Sequence, residues 1–202
     1  MSKKNYESFR KGLQGGLTEL WQPWFMSGVR NGGFEQTLRN VCMPYIEGHT
    51  GRTAFTESGQ RADLLLCGPE DIPESRTRCE FKVNFAQQHG LLEKRIGQAE
   101  TQVLKQPKNL KKRAADGIII YSVAELEMLD DNPLSLAARH NLHVSRTSYK
   151  KFVGKHDSRR FMSEVEQRFP KPLWKRLDFD DMQLSDSSGM ARLHVWTQHI
   201  KS

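Results

Sequence analysis

Cysteine is scarce in this chain: Cys42, Cys67 and Cys79 are the only three in 202 residues. Their odd number and wide spacing argue against a disulfide framework and against a cysteine-based zinc site. The expected setting is a reducing cytoplasm. Long apolar runs are also missing. The longest, Leu64–Leu66 and Ile118–Tyr121, fall far short of the ~18 residues that a membrane span needs, so no membrane partner is expected. The opening Met-Ser-Lys-Lys-Asn-Tyr-Glu is basic but lacks the apolar core of a secretory signal. The seven histidines show no metal-ligand spacing. His140 and His143 flank Asn141 at an expected helix end, and His156-Asp157 is too slight to build a catalytic pair on. No Walker loop, dinucleotide fingerprint or Gly-x-Ser-x-Gly elbow is present.

What the chain does have is positive charge. Lys and Arg number 31 against 24 Asp and Glu, a formal charge of +7. Such a balance speaks to partners rather than to fold, and nucleic acid leads among polyanions. With 37% apolar and 27% charged residues the composition is that of a globular chain. Residues 1–202 are expected to form a single domain.

Residues 5–27 carry Tyr6, Phe9, Leu13, Leu17, Leu20, Trp21 and Trp24 near helical spacing. Gly12, Gly15 and Gly16 interrupt them, so two short helices are expected. Asn31-Gly32-Gly33 releases a further helix with Phe34, Leu38, Val41 and Tyr45 on one face, kinked or ended by Pro44. Residues 47–60 read as a loop or an edge strand. Two strand-like runs follow, Arg61–Cys67 and Thr77–Phe85. In the second, Cys79, Phe81, Val83 and Phe85 alternate with Glu80, Lys82 and Asn84. A helix is expected at about 90–106, with Leu92, Ile96, Ala99 and Val103 inward and Pro107 closing it. Gly117-Ile-Ile-Ile-Tyr121 has the character of a central strand buried on both faces. Ser122 with Glu125 makes a capping-box pattern for another helix, and Asn132-Pro133 opens one more. Leu142–Arg146 and Ala191–Gln198 are strand-like. This order predicts an α/β fold with a mixed central sheet flanked by helices.

The chemistry concentrates at Asp63, Glu80 and Lys82. Glu80 and Lys82, two apart on a strand, project from one face, and such charges are costly in an apolar strand unless paired, hydrated or bound to a metal. If the two runs pair as a hairpin, the Asp63 carboxylate sits beside that of Glu80. Converging carboxylates repel unless a cation lies between them. Hard oxygen ligands of this kind suit Mg²⁺, with Mn²⁺ able to substitute. Lys82 could then stabilise a phosphate oxygen or orient the attacking water.

Arg61-Ala-Asp63 followed by Cys79-Glu80-Phe81-Lys82 resembles the PD-(D/E)xK nuclease superfamily. The resemblance covers roughly residues 34–123, with 1–33 as a helical extension and 124–202 completing the domain. It implies a restriction-endonuclease-like core, with Asp63 and Glu80 as metal ligands and Lys82 as the catalytic lysine. It further implies Glu35, opening an N-terminal helix, as an additional metal-site acid, and Gln98 as an assisting residue on the helix after the Glu-x-Lys strand. No Pro precedes Asp63, and Gln102 stands where a Tyr often follows the Gln.

Each residue also has a plainer reading. Glu80 and Lys82 could be an ion pair on a solvated edge hairpin. Asp63 could be a loop carboxylate, although three leucines follow it directly. Glu35 could be an acid favoured by the first helical turn. Lys94, Gln98, Gln102 and Lys105 could be a polar helix stripe, or could lie along a phosphate backbone. Residues 145–161 hold six Lys or Arg and one Asp, with Tyr149, Phe152 and Phe161 interleaved. Phosphate contact with stacking suits this segment, as does a solvated surface. Lys108, Lys111, Lys112 and Arg113 form a second basic cluster of the same ambiguity. The nucleic-acid contacts expected are Arg61, Asn84, Lys94, Gln102, Lys150, Lys151, Lys155, Arg159 and Arg160.

The expectation is thus a Mg²⁺-dependent endonuclease acting on DNA, restriction-type first and structure-specific repair or recombination nuclease second, with RNA not excluded as substrate. Double-strand cleavage usually takes two sites, so a homodimer is expected, with the aromatic N-terminal helices at its interface. The rivals are a non-catalytic nucleic-acid-binding protein on the same fold and a protein-binding module using the acidic stretches Glu125–Asp131 and Asp178–Asp186.

Overall fold

The computed structural model describes residues 1–31, 34–56, 63–69, 76–85, 92–104, 116–128, 158–169, 173–177, 179, 182–183 and 189–201. Its chain order is α1 (Lys3–Asn31), α2 (Phe34–Thr50), β1 (Thr53–Phe55), β2 (Leu64–Cys67), β3 (Thr77–Phe85), α3 (Leu92–Leu104), β4 (Asp116–Met128), α4 (Ser158–Arg168), β5 (Trp174–Leu177), β6 (Met182–Gln183) and β7 (Gly189–Lys201). The class is α/β with a mixed sheet, as the element order predicts.

The N-terminal segment is one continuous helix, where the glycines predicted two. Tyr6, Phe9, Leu13 and Leu17 form a buried stripe along it. Gly12 and Gly16 lie closely against α2, whereas Gly15 has room for a Cβ. A Cβ on Gly12 would stand 2.7 Å from the Tyr45 carbonyl oxygen and 2.8 Å from Ile46 Cα. Close backbone approach here offsets the helix propensity that glycine lacks. Gly12→Ala is accordingly expected to lower stability by about 1–3 kcal/mol despite its better propensity, a loss measurable as a reduced urea midpoint at unchanged slope. Pro44, expected to kink or end α2, does not end it: the helix runs six residues past it to Thr50. Cys42 and Ile46, both fully buried against α1 and the sheet, hold the helix across the missing hydrogen bond.

The strands pair in the order β1-β2-β3-β4-β7-β5, and β6 also pairs with β7. β1, β2 and β3 are antiparallel; β3 and β4 are parallel, with α3 between them in sequence. Of residues 47–60, expected as a loop or an edge strand, 47–50 complete α2 and Thr53–Phe55 form the edge strand β1. β4 extends to Met128, so Ser122 and Glu125 lie in a strand rather than cap a helix. Thirteen consecutive registers with β7, from Asp116 with Lys201 to Met128 with Gly189, override the local capping signal. The expected helix at Asn132-Pro133 and strand at Leu142–Arg146 lie outside the described residues.

The sheet has an apolar layer on each face. Tyr6, Phe9, Leu13, Leu38 and Ile46 meet Cys79, Phe81, Ile118 and Ile120 on one face. Ile96, Ala99, Val103 and Val165 meet Ile119, Tyr121, Val123 and Trp196 on the other. Ile118–Val123 of β4 are therefore buried from both sides, as its run of isoleucines predicts.

Candidate active site

β3 outruns its neighbour. The last register between β2 and β3 is Leu64 with Cys79, and β3 then continues to Phe85. Beyond that point, among the described residues, side chains meet the backbone of Phe81 and Val83. The Phe81 amide donates to Asp63 Oδ2 at 2.8 Å, and the Val83 amide to Glu35 Oε1 at 3.3 Å. Lys82 Nζ donates to the Phe81 carbonyl at 3.1 Å, and Arg95 Nη1 to the Val83 carbonyl at 2.5 Å. An edge that would otherwise leave polar groups unpaired thus recruits two acids and two bases.

On the face shared with Ile119 and Tyr121, Glu80 is 1% exposed and Lys82 8%. Lys82 Nζ donates to Glu80 Oε1 at 2.5 Å and lies 3.7 Å from Glu35 Oε2. The second oxygen, Glu80 Oε2, is buried without a hydrogen-bond partner among the described residues. Burial pushes the Glu80 carboxyl up to about 7; the negative charge of Asp63 adds to the rise and the Lys82 hydrogen bond opposes it. Burial also presses on the Lys82 ammonium, but the surrounding carboxylates of Glu35, Glu80 and Asp63 outweigh it and hold its pKa above the ordinary lysine value. Asp63 is steadied from α2, where Arg39 Nη1 lies 3.4 Å from its carbonyl oxygen and 3.9 Å from Oδ1.

The hairpin thus brings Asp63, Glu80 and Lys82 together, and α2 brings Glu35 to the same strand edge. The plainer reading of Glu80 and Lys82 as an exposed edge pair does not hold, because both are buried. Gln98 and Lys94 are exposed on α3, whereas Gln102 is half-buried with Oε1 unpartnered among the described residues. Arg61, Lys105, Lys108, Lys111, Lys112, Arg113, Lys150, Lys151 and Lys155 lie outside the described residues, as do the side chains of Asn84, Arg159, Arg160, Trp21 and Trp24. Sequence reasoning missed Arg39 and Arg95. The signal for Arg39 is its place four residues after Glu35 on one helix face. Arg95 has no comparable signal, since an arginine in the first turn of a helix is ordinary.

Among the described residues no group of three or more His, Cys, Asp or Glu is arranged to hold a metal. Asp63 and Glu80 form a two-carboxylate set, and Glu80 Oε2 has no hydrogen-bond partner among the described residues. That set fits Mg²⁺, which is commonly held by one or two carboxylates and keeps waters and substrate phosphates for its remaining positions. The three cysteines form no disulfide and are buried. No described helix is long and apolar enough to cross a membrane.

No family model, curated protein or solved structure matches the chain.

Proposed function

We propose that the chain is a metal-dependent nuclease with a restriction-endonuclease-like core, acting on DNA. The observation that carries this reading is the buried Glu80 carboxylate, one oxygen held by Lys82 and the other unpartnered, next to Asp63. A buried acid left half satisfied is expensive, and such groups concentrate at functional sites. The helix, the hairpin bearing Asp63 and Glu80, the helix after it and the parallel central strand are the order that the superfamily resemblance implies.

Asp63 and Glu80 would hold a Mg²⁺ ion, which would supply Lewis-acid activation of a phosphodiester and its attacking water. The protein's own part is to hold the two carboxylates in register across the hairpin, with Asp63 fixed by the Phe81 amide. Lys82, kept cationic by its carboxylate neighbours, places positive charge where the phosphate gains negative charge. The net charge of +7 favours a polyanionic substrate, and the basic segment 145–161 would follow its backbone. A restriction-type enzyme that cuts both strands would work as a homodimer.

Cleavage of supercoiled plasmid, linear duplex, branched DNA and an RNA with Mg²⁺, Mn²⁺ or EDTA tests the reading. The expected result is metal-dependent cutting that EDTA stops and Asp63→Asn reduces at least about 100-fold. Discrete fragments identify a restriction enzyme, and preference for branched DNA a structure-specific one. Binding with no cutting of any substrate overturns the enzyme in favour of a nucleic-acid-binding protein.

A further inference from the structure

We infer that Glu35 and Arg95 form a clasp over the open edge of β3 that positions Lys82, and that Glu35 is not a metal ligand. The inference rests on the nuclease reading for what Lys82 does, and departs from the metal-site role that the superfamily resemblance implies for Glu35.

The three carboxylates near β3 differ in what their oxygens have left to offer. Glu80 Oε2 has no partner among the described residues. Both Glu35 oxygens are engaged: Oε1 accepts from the Val83 amide at 3.3 Å and lies 3.6 Å from Arg95 Nη1, and Oε2 lies 3.7 Å from Lys82 Nζ. A carboxylate surrounded by an amide and two cations is electrostatically satisfied. Asp63 also accepts an amide on Oδ2, but its cationic neighbour Arg39 lies 3.9 Å from Oδ1. By contrast, two cations lie within 3.7 Å of Glu35 and oppose the approach of a divalent ion.

The same contacts give the clasp its mechanical sense. Glu35 takes the Val83 amide from α2, Arg95 gives to the Val83 carbonyl from α3, and the two side chains pair with each other. One residue of β3 is gripped through both its backbone groups, by helices from opposite faces of the sheet. Lys82 precedes Val83 directly, so whatever fixes Val83 fixes the root of the lysine. Glu35 Oε2 then adds an ion-pair contact at 3.7 Å to the ammonium's hydrogen bonds with Glu80 Oε1 and the Phe81 carbonyl. Without the clasp, β3 at Val83 would keep its pairing with β4 but lose the partners of its other edge, next to the amine that this reading makes catalytic. Arg95 and Glu35 are therefore positioning residues in this scheme, acting on the reaction through Lys82.

Two measurements judge the clasp. The first needs neither metal nor activity: amide hydrogen exchange of the metal-free protein, read at Val83 against Phe81. Glu35→Ala and Arg95→Met are each expected to speed exchange at Val83 about five- to tenfold while Phe81, held by Asp63, is unchanged. The second is Mn²⁺-dependent cleavage. Glu35→Gln, which keeps an acceptor for Val83 but loses the charge, is expected to lower the maximal rate at least about tenfold with the half-saturating Mn²⁺ concentration within about twofold of wild type. Arg95→Lys should recover part of the rate lost in Arg95→Met. Asp63→Asn is the control that must raise the Mn²⁺ requirement. A Glu35→Gln protein whose Mn²⁺ requirement rises tenfold or more would make Glu35 a ligand and overturn the inference. Unchanged Val83 exchange in both clasp variants would overturn it as well. If the wild type cuts nothing, the nuclease reading falls by itself, and Val83 exchange still decides whether the clasp exists.

Discussion

Replacing Lys82 by methionine is expected to damage the protein twice, once in rate and once in stability, and the two losses separate by pH. In rate, removal of one charge aimed at the reacting phosphate should reduce metal-dependent cleavage by about 10²–10³. In stability, the substitution strips the partner from a buried carboxylate. Removing one member of a buried ion pair costs about 3–5 kcal/mol when the other stays charged. Glu80, already raised to about 7, has a way out, because without the Lys82 hydrogen bond it rises further and takes up a proton. The stability loss should therefore be small near pH 5.5 and large near pH 8.5, while the loss of activity persists at both. Adding Glu80→Gln to Lys82→Met should recover most of the stability at pH 8.5 and none of the activity. Urea denaturation of the four proteins at the two pH values makes a complete cycle, whose coupling term reads the buried pair directly. A Lys82→Met protein equally stable at both pH values would mean that Glu80 is not buried as a charge. A fully active Lys82→Met protein would remove the lysine from the chemistry.

Much of this site was legible beforehand, and the limits of that legibility have physical causes. β3 could be read almost residue by residue, because Cys79, Phe81 and Val83 alternate with Glu80 and Lys82 and one face had to be core. Pairing with the leucines of β2 then made the approach of Asp63 to Glu80 a matter of hairpin register, and the last observed pair, Leu64 with Cys79, leaves them next in line. The element boundaries that failed did so where a distant segment overrules local preference. Gly12 weakens an isolated helix, yet α2 demands a residue without a side chain there. Ser122 and Glu125 satisfy a capping pattern, yet the partner that makes them strand, Val195 and Arg192 of β7, stands about 70 residues away in sequence. Arg39 and Arg95 follow the same logic. Nothing in a helix sequence says which of its arginines will meet a strand edge from another part of the chain; that depends on β2 stopping short. A buried acid on a strand announces itself because it breaks a pattern. An arginine on a polar helix face breaks none.

The metal-free protein is expected to lose stability as pH rises through neutrality, and Mg²⁺ to restore it. Glu80 has an ordinary carboxyl value of 4.5 and a folded value raised to about 7 by burial. Between those two values the folded chain binds the proton and the unfolded chain does not, so unfolding releases protons and stability falls as pH rises. The contribution is fully present below 4.5 and gone once pH has passed about 7, a total of roughly 3 kcal/mol. Lys82 stays cationic throughout, because its neighbours raise its pKa. His199 works the other way: burial lowers its pKa from 6.5, so its share of stability grows as pH rises toward that value. Glu80→Gln keeps the histidine and removes the carboxyl, so the difference between the two melting curves isolates Glu80. Metal binding has the opposite pH dependence, since only ionised Glu80 can accept the cation. The half-saturating Mg²⁺ concentration should fall up to about tenfold per pH unit from pH 5 toward 7 and level off above, because each proton displaced counts once in the linkage. In thermal melts the gain from Mg²⁺ should therefore be larger at pH 8 than at pH 5.5, and absent at both in Glu80→Gln. A gain from Mg²⁺ equal at the two pH values, or surviving in Glu80→Gln, would place the ion away from this carboxylate. Disappearance of both trends together in the glutamine variant would tie the instability of the empty protein and its affinity for the ion to the same buried oxygen.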